Sequence, residues 1–141
     1  MGYADLHEHL RQLEEAGHLR RINQTINKDT ELHPLVRWQY RGGIPDEERK
    51  AWYFPNVTDS RGRRFDFPVV VGALAGSKAI YFLGMGCNSA EEMDKKWKDA
   101  LSNPITPMVV DNPVCQEHVM TGDALEQDGL DKFPVPISTP G

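Results

Sequence analysis

The chain predicts an α/β fold, a small sheet packed with helices, followed by an extended Pro-rich connector. Three observations lead there. Capping boxes mark two helix starts, at Asp5 with Glu8 and at Ser89 with Glu92. Between them lie two apolar runs of strand length, residues 51–57 and 67–74. Six of the ten prolines (Pro104, Pro107, Pro113, Pro134, Pro136 and Pro140) follow Asn103. We therefore divide the 141 residues into an N-terminal α/β domain, 1–103, and a connector, 104–141.

Each element has its own signal. Leu6, Leu10 and Leu13 recur on one face after Asp5, and Gly17 offers a left-handed stop. Leu19 and Ile22 carry an apolar thread into a short extended segment. A second helix starts near Thr30, tolerates Pro34 in its first turn, and presents Leu32, Leu35, Val36 and Tyr40 inward before Gly42-Gly43. Trp52, Tyr53, Phe54 and Val57 make a strand bounded by the turn cluster at 58–62. Val69-Val70-Val71 suits a strand buried on both faces. Ser77 caps a short helix carrying Ile80 and Leu83, stopped at Gly84-Met85-Gly86. The helix after Ser89 points Met93, Trp97 and Leu101 inward, with its lysines placed late to suit the helix dipole. One strand, residues 114–120, is expected in the connector.

Composition excludes several functions. The net charge of −5 argues against a nucleic-acid partner, which requires a basic face. No apolar run approaches the roughly 18 residues of a membrane span, so no membrane partner is expected and the location read is cytoplasmic. Cys87 and Cys115 form no CxxC pair and read as reduced thiols.

The candidate chemical residues form no complete apparatus. Gly72 to Lys78 sits where a phosphate loop would, but its glycines are separated by three residues and Ser77 precedes Lys78, so it reads as a capped turn. His7 and His9 are two apart on a helix and point to different faces; His18 and His33 read as surface or capping residues. Glu117 and His118 are neighbours on an extended segment, where alternation separates them. Trp38, Trp52 and Trp97 read as core. Arg61, Arg63 and Arg64 make a small basic patch in a turn, which leaves a small-anion-binding module as a lesser alternative.

The opening DLHEHLRQLEEAGHLRRI resembles the start of the UbiD-like decarboxylases, through Asp5, Leu6, Leu10, Leu13, Glu14, Gly17, Leu19, Arg21 and Ile22. The likeness continues in order through FPNV at 54–57, PVVVGALAGSKAIYFLGMG at 68–86, PVCQEHVMTGD at 113–123 and FPVPISTPG at 133–141. The resemblance implies a carboxy-lyase that reversibly decarboxylates aromatic, heteroaromatic or α,β-unsaturated carboxylic acids. Its cofactor would be prenylated FMN, with Mn²⁺ and K⁺ at the flavin phosphate; the cofactor supplies the difficult chemistry. It also implies that the family's catalytic Glu–Arg–Glu set and its Asn, His and Glu metal ligands lie in a central flavin-binding barrel that begins about where this chain ends. No residue here matches those motifs, so no catalytic, cofactor-binding or metal residue is assigned, and the chain alone is expected to be inactive and to bind none of the three. Expected partners are the flavin-binding and C-terminal domains, in the same polypeptide or as a separate chain, a small carboxylic acid substrate and further copies in a homo-oligomer. A free-standing, non-catalytic subunit that docks onto a separate decarboxylase chain is the alternative.

Overall fold

The computed structural model of the chain describes residues 3–137, so the connector's last residues, 138–141, lie outside the described residues. Among the described residues the α/β expectation holds, with five α-helices and two three-stranded sheets in place of one. The order is α1 (Leu6–Glu15), β1 (Leu19–Arg21), β2 (Ile26–Asn27), α2 (Leu32–Arg41), β3 (Ala51–Phe54), β4 (Val57–Thr58), β5 (Arg64–Phe65), β6 (Val69–Val71), α3 (Lys78–Met85), α4 (Ala90–Ser102) and α5 (Ala124–Asp128). The first sheet runs β1-β3-β6, with β1 parallel and β6 antiparallel to β3. The second runs β2-β4-β5 on the same plan, parallel then antiparallel. The run at 51–57 therefore splits between the two sheets, because Pro55 cannot donate to a ladder.

Strand alternation divides the first sheet's side chains between two cores. Leu19, Ala51 and Val70 face α1 and α3 and pack with Leu13, Ala73 and Ile80. Trp52, Phe54 and Val69 face the other way and join Leu32 and Val36 of α2 with Ile26, Val57 and Phe65 of the second sheet. The caps are as the sequence predicts. Asp5 accepts from the Glu8 amide at 2.8 Å, and the Glu8 carboxylate reaches back to the Ala4 amide. Ser77 and Ser89 cap α3 and α4 in the same way, on the Ile80 and Glu92 amides. Gly17 takes the left-handed φ of +70° that ends α1, a conformation a Cβ would strain.

Several expectations fail, each for a physical reason. On α2 the buried stripe is Leu32, Val36 and Gln39, while Leu35 and Tyr40 are exposed. Gln39 is buried because it is fully paired. Its Oε1 accepts from the Lys50 amide and the Trp52 indole, and its Nε2 donates to the Lys50 carbonyl. Trp38 lies outside the core at 67% exposure. Of the three valines in β6 only Val69 is buried, because β6 is an edge strand of its sheet. Met93, Trp97 and Leu101 do not point into a core: α4 has no buried residue. The strand expected at 114–120 is absent; Val114–Gln116 is a 3₁₀ turn after Pro113, with no neighbouring strand among the described residues to pair with.

Candidate interaction surface

Helix α4 is well made yet largely uncovered. Its start is fixed by the Ser89–Glu92 box, and its acids, Glu91 and Glu92, sit in the first turn. A hydrogen bond from its own backbone amide, and then one from the Ser89 hydroxyl, hold Glu91 below the ordinary carboxyl range. The helix is tied to α3 by two polar contacts. The Trp97 indole donates to the Tyr81 hydroxyl at 2.9 Å, and Lys96 donates to the Met85 carbonyl. The stripe Met93–Trp97–Leu101 is only partly covered, with Met93 half-buried, Trp97 46% and Leu101 76% exposed. The chain continues the same character: Ile105 and Val109 are each 93% exposed, beside Met108 and Val110. Scattered exposed apolar residues are ordinary, but their accumulation along α4 and the chain directly after it makes this the candidate contact face.

The residues singled out from sequence do not converge. In the Gly72–Lys78 turn two amides are already engaged: Gly76 donates to the Gly72 carbonyl and Lys78 to the Asp46 carboxylate. With Ser77 capping α3, this turn does not offer a phosphate a cradle. His7 is exposed, whereas His9 is fully buried, donating through Nε2 to the Ala73 carbonyl at 2.6 Å under the Tyr3 ring. His18 is half-buried with Nδ1 unpartnered, and burial, then Lys50, lowers its pKa. Glu117 and His118 are both exposed after the 3₁₀ turn. The basic patch is not a free anion site. Arg63 donates to Asp59 and lies over the Phe65 ring, and Arg64 belongs to β5. Burial pushes the Asp59 carboxyl up, but the Arg63 and Arg61 amides and the Arg63 charge outweigh it and leave it below its ordinary value. Cys87 is buried, Cys115 is exposed, and both are free.

Among the described residues no group of three or more His, Cys, Asp or Glu side chains could hold a metal. Nor is any described helix long and apolar enough to cross a membrane. The described residues thus offer no ligand set for the metal of a flavin phosphate.

Comparison with known proteins places this geometry. Residues 10–97, well over half of the chain, match the family described as the 3-octaprenyl-4-hydroxybenzoate carboxy-lyase N-terminal domain. The UbiD-class enzyme HmfF of Pelotomaculum thermopropionicum, solved in complex with FMN, is similar at 28% identity and TM-score 0.54, over 72% of this chain and 20% of its own. The vanillic acid decarboxylase of Sedimentibacter hydroxybenzoicus in open form shares the fold, at 22% identity and TM-score 0.61, over 87% of this chain and 26% of its own. A second structure of that decarboxylase, with a truncated ShVdcD, gives 23% identity and TM-score 0.60, over 78% and 22%. The chain thus spans only about a fifth to a quarter of the length of these proteins.

Proposed function

The chain belongs to the UbiD carboxy-lyase N-terminal domain family, and from that premise we propose that it is the N-terminal part of a UbiD-like decarboxylase. The reaction is the reversible decarboxylation of aromatic, heteroaromatic or α,β-unsaturated acids with prenylated FMN. The flavin, Mn²⁺ and K⁺ belong to a flavin-binding part, in the same polypeptide or in a separate chain. When bound there, the flavin stabilises the negative charge that develops as CO₂ leaves. The role of this chain is structural. Its α/β body presents Trp97, Leu101 and the apolar residues at 105–110 to that part, and no residue described here touches the reacting atoms.

The family match carries this reading, and the uncovered face of α4 supports the docking role. The test is reconstitution. The chain is produced with a flavin prenyltransferase, alone and together with the flavin-binding part of a UbiD-class decarboxylase. Alone, it is expected to purify without flavin absorbance and to release no CO₂ from aromatic acids. Together, the two are expected to form a flavin-containing, active complex. Stoichiometric flavin or CO₂ release from the chain alone would overturn the assignment.

A further inference from the structure

The proline-rich segment near the end of the described chain is not loose. Phe133 packs on Phe67 with ring centroids 5.1 Å apart, and Pro134 is buried. Phe67 to Val70, leading into and along β6, and Phe133 to Pro136 line one apolar groove of about 400 Å³. At its far end the Ile137 amide donates to the Lys28 carbonyl, just past β2, so the segment reaches from the first sheet to the second.

The spacing of the prolines suits this course. A segment lying across folded backbone must satisfy its own amides or leave them unpaired. Pro134 and Pro136 have none. The other three are all paired: Phe133 donates to the Leu130 carbonyl, Val135 to the Phe133 carbonyl at 2.8 Å, and Ile137 to Lys28. Prolines also restrict the unbound segment, which lowers the entropy lost on docking. An aromatic anchor followed by alternating prolines, seated against an aromatic side chain as Phe133 is against Phe67, is a recurrent way to hold a linear segment.

We propose that the apolar stretch Phe67–Val70 leading into β6 is the seat of the chain's own Phe133-Pro134-Val135-Pro136 segment, and that this contact straps residues 104–132 into a closed loop. The apolar loop after α4 is then held at both ends, by α4 and by the Phe67–Phe133 contact. Tethering decides which copy supplies the segment. A tether of this size, here carrying α5, gives an effective concentration on the order of millimolar, so at micromolar protein the chain's own segment outcompetes a neighbour's. The strap does not depend on the decarboxylase assignment, and its test needs no flavin.

Hydrogen exchange on the full chain reads it directly, in the wild type, Phe133→Ala and Phe67→Ala. Phe67 is half exposed, and the amides of β3 serve as the control for folding. The Ile137 amide is expected to exchange at least about ten-fold more slowly in the wild type than in either variant, with β3 unchanged in all three. Equal exchange at Ile137 in wild type and variants would overturn the strap. Protection that disappears on dilution together with a dimeric mass would place the segment on a second copy and overturn its assignment to the same chain.

Discussion

At the residue scale, the histidines show how burial converts one side-chain type into different roles. His9 sits three residues after Leu6 and four before Leu13, on the helical stripe that faces the sheet. That spacing was visible in the sequence; the partner was not. A buried imidazole needs a distant acceptor, here the Ala73 carbonyl 64 residues away, and no local pattern announces it. Gln39 repeats the lesson, since its place seven residues after Leu32 is helical core spacing but its three partners come from Lys50 and Trp52 at the start of β3. His18 carries a pH consequence. Burial first, then the charge of Lys50, lowers its pKa, so the unfolded chain binds a proton more readily than the folded one. Its contribution to stability is therefore complete above the ordinary imidazole value of about 6.5 and is lost as the pH falls below it through the folded value. The urea midpoint should drop between pH 7.5 and 5.5, and His18→Gln should reduce that drop. Asp5, Glu14, Asp29 and Asp59 also titrate below their ordinary values, but they act in a separate window below about pH 4. An unchanged pH dependence in His18→Gln would remove His18 as the cause.

At the element scale, caps and periodicity were legible and neighbours were not. Ser77, Ser89 and Asp5 each cap the helix expected of them, because a capping bond spans three residues and depends only on local sequence. The two-residue strands β2 and β5 escaped notice. Segments that short carry no periodicity, and they exist only because β4 lies between them. Helix α4 marks the opposite limit. Its Met93–Trp97–Leu101 stripe is real, yet what covers a stripe is a property of the surroundings, and none of the described elements buries it. This fixes the energetics. Trp97→Ala should destabilise the isolated chain by about 1–2 kcal/mol, short of a core aromatic because the side chain is already half in water. Phe54→Ala, at a fully buried position between the sheets, should cost about 3–5 kcal/mol. Equal denaturant midpoints for the two variants would mean that α4 is packed in solution as tightly as β3.

At the scale of the whole molecule, two asymmetries coincide. After Asn103 the sequence holds six acids, Asp111, Glu117, Asp123, Glu126, Asp128 and Asp131, against Lys132 alone, so the net charge of −5 resides there and the preceding part is neutral. The same stretch carries many of the exposed large apolar residues, including Ile105, Met108, Val109, Val114 and Leu130. Acidic charge keeps such a surface soluble without covering it, which suits a segment made to meet a partner. On the proposed reading, α4 and residues 105–110 form the face toward a flavin-binding part. Oxidative footprinting of the chain, free and in complex with the flavin-binding part of a UbiD-class decarboxylase, tests it most directly. Trp97 and Met108 should react at least about five-fold more slowly in the complex, while Trp38, on the exposed face of α2, reacts at the same rate in both. A complex that leaves Trp97 and Met108 as reactive as in the free chain would contradict the account.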